Sequence, residues 1–196
     1  MITDVLAICI VSYLIGSIPC GVLLARMQNL NIREHGSGNI GATNVARVLG
    51  KKAGLLTLIG DAIKGLIVVF GTGALYKTPM LIAVAGLMVF LGHLYSIFLK
   101  FKGGKGVATS LGLFSYVMPW ATLYAVGVFT ICLLISGYVS IGSIMAAISL
   151  PLFAIFLKLP LPYIYLAFIV GLFTLQRHYG NIQRLIAGTE AKFFKK

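Results

Sequence analysis

The chain has 196 residues, of which 59% are hydrophobic and only 10% charged, and its mean hydropathy is +1.01. Soluble domains carry about 25% charged residues, so this composition excludes a soluble protein and indicates an integral membrane protein. The net charge of +12 comes without aromatic and basic repeats, so we interpret it as basic loops beside membrane spans and expect no nucleic-acid partner. The three cysteines lie in apolar segments, without the spacing of a metal site or a disulfide framework.

The apolar segments predict an all-α membrane protein with a single polytopic domain over residues 1–196. Six segments are apolar enough to enter a membrane: Ile2 to Leu24, Ala53 to Tyr76, Met80 to Leu99, Val107 to Ile135, Tyr138 to Leu157 and Leu161 to Leu175. The first lacks a basic N-terminal region and a small-residue cleavage pattern, so we expect a retained span rather than a signal peptide.

The fourth segment is too long for one ordinary span. Its 29 residues would form a helix of roughly 43 Å, against a hydrocarbon core of about 30 Å. It is either one tilted helix or two helices that meet at Met118 and Pro119. Basic residues concentrate in residues 26–52, 100–105 and 177–196, which places these stretches in the cytoplasm. The even number of crossings that this requires favours about seven helices, with the N-terminus outside and the C-terminus cytoplasmic.

The first polar cluster is the loop at residues 33–52, which contains a GxGxxG pattern. A dinucleotide fingerprint needs a strand before this pattern, but an apolar span precedes it here. We instead predict an anion site, because glycines let backbone N–H groups converge on one point and Arg47 adds charge and planar donors. An ordinary flexible turn is the alternative. The candidate phosphate-binding residues are Ser37, Gly38, Asn39, Gly41, Ala42, Thr43 and Asn44.

The second cluster lies at residues 100–110. Gly103, Gly104 and Gly106 surround Lys105, and an apolar helix that contains Thr109 begins directly afterwards. Backbone donors at a helix N-terminus together with a lysine predict a second anion site. The spacing is not that of a Walker A loop. The alternative is a basic loop that binds lipid head groups.

The third cluster is the tail at residues 177–196, with His178, Asn181, Arg184 and Glu190. A helix that begins near Asn181 would place Asn181 and Arg184 one turn apart on one face. A solvated cytoplasmic helix would show the same pattern. We expect the three clusters to form the site on one face of the membrane.

Further polar residues lie at membrane depth. Asp61 and Lys64 are three residues apart on one helix face, and an isolated charge there is costly, so they either pair with each other or face the site, and we favour structural pairing. Ser143 is predicted to be a helix-packing residue or a hydrogen-bond donor. His93 lies near a span end, where we expect a supporting, hydrogen-bonded histidine.

The clusters resemble the three signature motifs of the PlsY family, bacterial membrane glycerol-3-phosphate acyltransferases that use acyl phosphate. The matching stretches are SGNIGATNVAR, GHLYSIFLKFKGGKGVATS and HYGNIQRLIAGTE, with DAIKG between the first two. They occur in the family's order over the whole chain. The sequence departs from the family pattern at Tyr95 and Ser96, where many relatives have a pair such as Phe-Pro, and at Tyr179, where relatives often have arginine.

The resemblance implies transfer of a fatty acyl group from acyl phosphate to the 1-hydroxyl of glycerol 3-phosphate, giving lysophosphatidic acid and phosphate. No cofactor is implied, because acyl phosphate is already activated. The residues five after His35, His93 and His178 are not aspartate, so the His-Asp dyad of many acyl-CoA-dependent enzymes is missing. No nucleophile elbow occurs either, so we expect direct attack without a covalent acyl-enzyme.

The same resemblance implies roles in chemistry for Ser37, Arg47, Lys105, His178 and Asn181. The first loop and the glycine loop would grip acyl phosphate, and Lys105 would stabilise the leaving phosphate. Arg47, Asn181 and Arg184 would hold glycerol 3-phosphate. The proton acceptor is either His178 or a phosphate oxygen of the donor.

The expected location is the bacterial cytoplasmic membrane, in contact with membrane lipid and with the active site towards the cytoplasm. Family analogy adds an acyl-phosphate synthase as a possible partner. A phosphate or organophosphate transporter is the rival interpretation, but transporters commonly show repeated halves with a midplane site, and here the polar clusters lie at one face.

Overall fold

The computed structural model describes residues 2–193. These residues form ten α-helices and two short 3-10 turns without any strand, which confirms the predicted all-α class. The helices are α1 (Ile2–Ser17), α2 (Cys20–Arg26), α3 (Ala42–Leu49), α4 (Lys51–Tyr76), α5 (Pro79–Leu94), α6 (Val107–Val117), α7 (Pro119–Ser136), α8 (Val139–Phe156), α9 (Leu161–Arg177) and α10 (Tyr179–Ile186). The 3-10 turns are Ile32–Glu34 and Ile97–Leu99.

Five stretches within residues 2–193 are long and apolar enough to cross a membrane: Ile2–Arg26, Lys51–Tyr76, Pro79–Leu99, Pro119–Ser136 and Val139–Phe156. Helices α6 and α9 are apolar but shorter, with 11 and 17 residues. At about 1.5 Å per residue, α6 is only about half as long as the hydrocarbon core is thick. The chain is thus an integral membrane protein with several spans, and the count of seven crossings stays a prediction.

The long fourth apolar segment is divided at Met118, as one of the two sequence interpretations had it. Met118 leaves the helical conformation, with φ −146° and ψ 60°. Pro119 then opens α7, where its missing N–H would have had no helical partner in any case. The chain also separates here into two compact units, one ending at Tyr116 and the other beginning at Val117.

In the first unit, the first span is broken at Pro19, where the sequence analysis had one continuous segment. The helical hydrogen bonding stops between Ser17 and Cys20, so the last carbonyl groups of α1 and of the linking residues have no helical partners. Side chains replace them: Lys64 Nζ donates to the carbonyl oxygen of Ile18 at 2.9 Å, and Ser96 Oγ donates to that of Ser17 at 2.6 Å. Such replacement is required because lipid offers no hydrogen-bond partner to a freed carbonyl.

Tyr95 and Ser96 hold the end of α5 against α1. Tyr13 Oη donates to the carbonyl oxygen of Tyr95 at 2.5 Å, beside the bond from Ser96 to Ser17. The pair in which this chain departs from the family pattern is therefore part of the α1–α5 junction.

Glycines allow close helix crossings in the first unit. A Cβ atom at Gly16 of α1 or at Gly92 of α5 would overlap backbone atoms of the opposite helix. The same holds for Gly65 of α4 and Gly112 of α6. Small residues at such crossings let two backbones approach, which is how membrane helices gain packing energy.

The second unit is built on α7, α8 and α9, which pack in sequence order. Gly137 ends α7 in the left-handed conformation, with φ 79°. Its carbonyl oxygen accepts a hydrogen bond from the N–H of Phe193 at 2.8 Å. The chain after α10 therefore returns to the turn between α7 and α8.

Candidate active site

Asn44 organises the first loop. Its buried side chain, in the first turn of α3, bonds to four backbone groups of residues 32–39. Nδ2 donates to the carbonyl oxygens of Ile32, His35 and Asn39 at 3.4, 3.0 and 2.8 Å, and Oδ1 accepts from the N–H of Ser37 at 2.8 Å. Because these bonds use the donors and the acceptor of the amide, the side chain shapes the loop from inside.

The loop uses several of its own backbone donors. The N–H groups of Ser37, Gly38 and Gly41 all donate to atoms within residues 35–44. Three of the backbone groups that were predicted to face an anion thus hold the loop in shape. Arg47, the residue predicted to add charge to the anion site, lies exposed in the last turn of α3.

The glycine loop caps α5. The N–H groups of Gly103 and Gly104 donate to the carbonyl oxygens of Leu94 and His93 at 3.0 and 3.1 Å, which satisfies two groups that a helix C-terminus leaves open. A Cβ at Gly103 would overlap backbone atoms of His93 and Leu94, one at Gly104 would overlap the His93 ring, and one at Gly106 would overlap an aromatic ring of α5. Gly106 also has φ +82°, which favours glycine. The glycines are needed for this close approach.

Lys105 follows directly, partly buried, between the glycine loop and α6. The two loops of the first unit are also joined, because Arg33 Nη2 donates to the carbonyl oxygen of Lys102. The structure thus ties the loop that carries Arg47 to the loop that carries Lys105.

Asp61, Lys64 and His93 form a buried cluster between α4 and α5, with exposed fractions of 2%, 6% and 4%. Lys64 Nζ lies 2.8 Å from Asp61 Oδ1 and 2.9 Å from His93 Nδ1. The predicted pairing of Asp61 with Lys64 is present. The inclusion of His93 was not foreseen, because it lies 29 residues from Lys64 and helix packing brings the two together.

In the second unit, Glu190 draws the tail together. Its Oε1 accepts from Ser140 Oγ at 2.9 Å and from Asn181 Nδ2 at 2.6 Å, and its Oε2 accepts from Arg184 Nε at 2.8 Å. Burial raises the pKa of Glu190, but the three hydrogen bonds and the charge of Arg184 outweigh burial and hold that pKa below its ordinary value. Glu190 is thus an ionised anchor for two predicted site residues.

His178 lies between α9 and α10 and is 2% exposed. Its Nδ1 is 2.8 Å from the carbonyl oxygen of Thr174. A carbonyl oxygen can only accept, so Nδ1 carries the proton in this bond, and Nε2 is the acceptor nitrogen of the neutral ring.

Four other predicted site residues lie in helices. Ala42 and Thr43 begin α3 and are partly exposed. Ser143 is buried and its hydroxyl donates to its own helix at Val139, and Thr109 is fully buried. Ser140 was missed altogether, because nothing in the local sequence distinguishes it from a helix-packing serine.

The glycerol-3-phosphate acyltransferase family profile matches residues 6–188. A glycerol-3-phosphate acyltransferase of Trichlorobacter lovleyi is 47% identical over 183 residues, which is 93% of this chain and 94% of that protein.

Two solved structures of PlsY, an integral membrane glycerol 3-phosphate acyltransferase, are also similar. Its glycerol 3-phosphate form has a TM-score of 0.93 and 39% identity, over 97% of this chain and 96% of that one. Its lysophosphatidic acid form has a TM-score of 0.90 and 38% identity, over 96% and 95%. This chain therefore belongs to the glycerol-3-phosphate acyltransferase family of integral membrane proteins.

Proposed function

We propose that this chain transfers a fatty acyl group from acyl phosphate to the 1-hydroxyl of glycerol 3-phosphate, without a covalent acyl-enzyme. The hydroxyl oxygen attacks the acyl carbonyl carbon, an ester bond forms, and the bond from the acyl carbon to the phosphate oxygen breaks. The products are lysophosphatidic acid and inorganic phosphate. The observation that carries the acceptor and the product is the likeness to PlsY structures in their glycerol 3-phosphate and lysophosphatidic acid forms.

The donor is the one that the resemblance to the PlsY family implies. No histidine is followed by aspartate at the fifth position, and no nucleophile elbow occurs, so the chain lacks the dyad of many acyl-CoA-dependent enzymes and the motif of a covalent acyl-enzyme. Acyl phosphate suits this chain because phosphate is its leaving group, so neither a covalent intermediate nor coenzyme A is needed. Two cationic elements, Arg47 and the Lys105 loop, suit a reaction in which both substrates carry phosphate.

In this proposal Ser37 and Lys105 act on the acyl phosphate. Lys105 stabilises the charge that develops as phosphate leaves, from a loop whose backbone is fixed by its bonds to the end of α5. Arg47, Asn181 and Arg184 hold the acceptor so that its hydroxyl faces the acyl carbonyl. Asn44, Glu190 and the glycines hold the loops and the tail that carry these side chains.

The hydroxyl proton is assigned to His178. The bond from Nδ1 to Thr174 fixes the ring in the tautomer whose Nε2 accepts a proton, which is the form that a general base requires. An acceptor oxygen on the donor phosphate is the alternative.

The proposed location is the bacterial cytoplasmic membrane, with Arg47, Lys105 and the tail towards the cytoplasm. The basic loops support this orientation through the positive-inside rule. Glycerol 3-phosphate is a soluble metabolite, and an acyl chain partitions into lipid, so a site at the membrane boundary suits both.

The test is an assay of the purified protein in detergent or nanodiscs, supplied with glycerol 3-phosphate and either palmitoyl phosphate or palmitoyl-CoA. We expect lysophosphatidic acid and phosphate in equal amounts when the donor is palmitoyl phosphate, and no lysophosphatidic acid when the donor is palmitoyl-CoA. Lys105→Ala should lose about 10²–10³-fold in kcat, as removal of one charge-stabilising donor does. Lys102→Ala is the matched control, since that side chain is exposed in the same loop. Formation of lysophosphatidic acid with palmitoyl-CoA but not with palmitoyl phosphate would refute the proposed donor.

A further inference from the structure

The proton on His93 can be located from its partner. Lys64 Nζ donates to the carbonyl oxygen of Ile18 at 2.9 Å, contacts His93 Nδ1 at 2.9 Å and lies 2.8 Å from Asp61 Oδ1 in an ion pair. An ammonium has N–H groups and no lone pair, so it can only donate to a nitrogen that it contacts. His93 Nδ1 must therefore present its lone pair, and the neutral ring carries its proton on Nε2.

Charge balance supports the same assignment. Asp61 and Lys64 carry opposite charges and neutralise each other at a buried position. A protonated His93 would add a second cation beside the single carboxylate that the described residues place near it, that of Asp61 at 3.6 Å from Nδ1. Uncompensated charge at such a position is costly, so the cluster is most stable with a neutral imidazole.

The protonated edge of His93 faces the glycine loop. A Cβ built on Gly104 would overlap His93 Nε2, and the nearest other atoms to it are the two ring carbons beside Nε2. Gly104 also donates its N–H to the carbonyl oxygen of His93. The backbone and the ring of His93 thus both contact Gly104, which immediately precedes Lys105.

We propose that His93 is a positioning residue for Lys105: its ring transmits the fixed geometry of the buried Asp61–Lys64 pair to the glycine loop. The proposal rests on the proposed function, in which Lys105 stabilises the leaving phosphate. One nitrogen of the ring is held by α4, and the other sets where the loop lies. Lys105 is then presented at a fixed place rather than on a mobile loop, as preorganised electrostatic stabilisation requires.

Two conservative variants separate this role from simple packing. Asparagine at position 93 puts an acceptor near the place of Nδ1, so it keeps a partner for Lys64 but has nothing that reaches Gly104. Glutamine puts its amide near the place of Nε2, so it reaches the loop but is poorly placed for Lys64. If His93 serves only to satisfy Lys64, His93→Asn should behave like the wild type and His93→Gln should be the damaged variant.

We expect the opposite ranking in catalysis. His93→Asn should keep a thermal midpoint close to that of the wild type but lose about 10- to 100-fold in kcat, since small misplacements of catalytic groups cost that much. His93→Gln should retain more of the wild-type kcat, even with a lowered midpoint. In the Lys105→Ala background, His93→Asn should have little further effect, because residues that act through one another are non-additive. Wild-type kinetics for His93→Asn, or full additivity with Lys105→Ala, would overturn the proposal.

The tautomer gives a readout that does not depend on activity. In protein labelled with ¹⁵N in its three histidines, with His93 assigned through His93→Asn, the ring should show a protonated Nε2 and an unprotonated Nδ1 at neutral pH. An imidazolium or a protonated Nδ1 would refute the assignment. Absence of acyl-phosphate-dependent activity in the wild type would instead reject the proposed function, and the tautomer would still be measurable.

Discussion

Arg184 donates from Nε to Oε2 of Glu190 across 2.8 Å, and this bond fixes the orientation of the guanidinium group. The other N–H donors of the group lie on its two Nη atoms. The carboxylate of Glu190 therefore orients the planar group and leaves the Nη donors for paired hydrogen bonds to a phosphate. We predict that Glu190→Ala raises the KM for glycerol 3-phosphate about 10-fold or more, because Asn181 and Arg184 lose their common anchor. Glu34→Ala is the matched control, since Glu34 is an exposed carboxylate that accepts a hydrogen bond from the nearby Asn31. Equal kinetics for the two variants would contradict the prediction.

The same anchor should show a defined pH dependence. Because the folded-state pKa of Glu190 lies below its ordinary value, about 4.3 for glutamate, ionised Glu190 contributes stability above that value. The contribution is lost as the pH falls through the lowered folded-state pKa. The difference in unfolding free energy between the wild type and Glu190→Gln should thus be constant from neutrality to about pH 5 and shrink in more acid solution. A difference that persists unchanged when both states are protonated would argue against the ionised anchor.

Asn44 offers a test in which the shape of a side chain is unchanged. Asn44→Asp replaces the Nδ2 donor by an acceptor, so the carbonyl oxygens of residues 32, 35 and 39 would face a buried carboxylate. We expect a loss of about 2–4 kcal/mol in unfolding free energy from unsatisfied buried groups. Asn39→Asp is the control, because Asn39 Oδ1 is the acceptor for Gly41 and aspartate keeps that oxygen. Thermal unfolding of both variants in the same detergent compares the stability lost in Asn44→Asp with that lost in Asn39→Asp. Similar losses would refute the central role of Asn44.

The motifs and the broken fourth segment were predictable because proline chemistry, glycine spacing and clustered charge are local properties of a sequence. The break at Pro19 was missed although the proline itself was the signal, because the apolar run continues on both sides of it. The contacts that could not be predicted are long-range pairs. Ser140 and Glu190 are 50 residues apart, and Lys64 and His93 are 29 apart, so helix packing rather than local pattern decides that they meet.

The buried ion pair of the first unit should be more sensitive to losing one charge than to losing both. Lys64→Met leaves Asp61 without its cation, and breaking such a pair typically costs about 3–5 kcal/mol. The double variant Asp61→Asn with Lys64→Met removes both charges and should recover at least half of that loss. Reversible unfolding in mixed micelles gives the unfolding free energies of the wild type, Lys64→Met and the double variant. A double variant that is less stable than Lys64→Met would show that the pair is not held by mutual neutralisation.

His178 can be tested as the proton acceptor without disturbing its fixed bond. His178→Asn places an amide N–H near the position of Nδ1, where it can still donate to the carbonyl oxygen of Thr174, but it has no basic nitrogen. We expect kcat to fall about 10²- to 10⁴-fold and the rise of activity towards neutral pH to disappear. Retention of most of the activity in a well-folded variant would assign the proton to the donor phosphate instead.

Gly104 should be sensitive to substitution, because its missing side chain makes room for the His93 ring. In Gly104→Ala the new Cβ would overlap Nε2, and neither neighbour is free to give way, since the ring is held by Lys64 and the loop by the end of α5. We expect the loop to shift and kcat to fall about 10²-fold, as for a misplaced catalytic group, in protein that still folds.

Gly71→Ala is the matched control for this change, because a Cβ at Gly71 of α4 meets nothing within 4 Å. Alanine is the better helix former by up to about 1 kcal/mol, so this variant should be fully active and equally or slightly more stable. Steady-state kinetics with palmitoyl phosphate, together with the thermal midpoint of each protein, compare the two. Full activity in Gly104→Ala would mean that the loop can move without displacing Lys105, whereas loss confined to that variant places the sensitivity at the contact with His93.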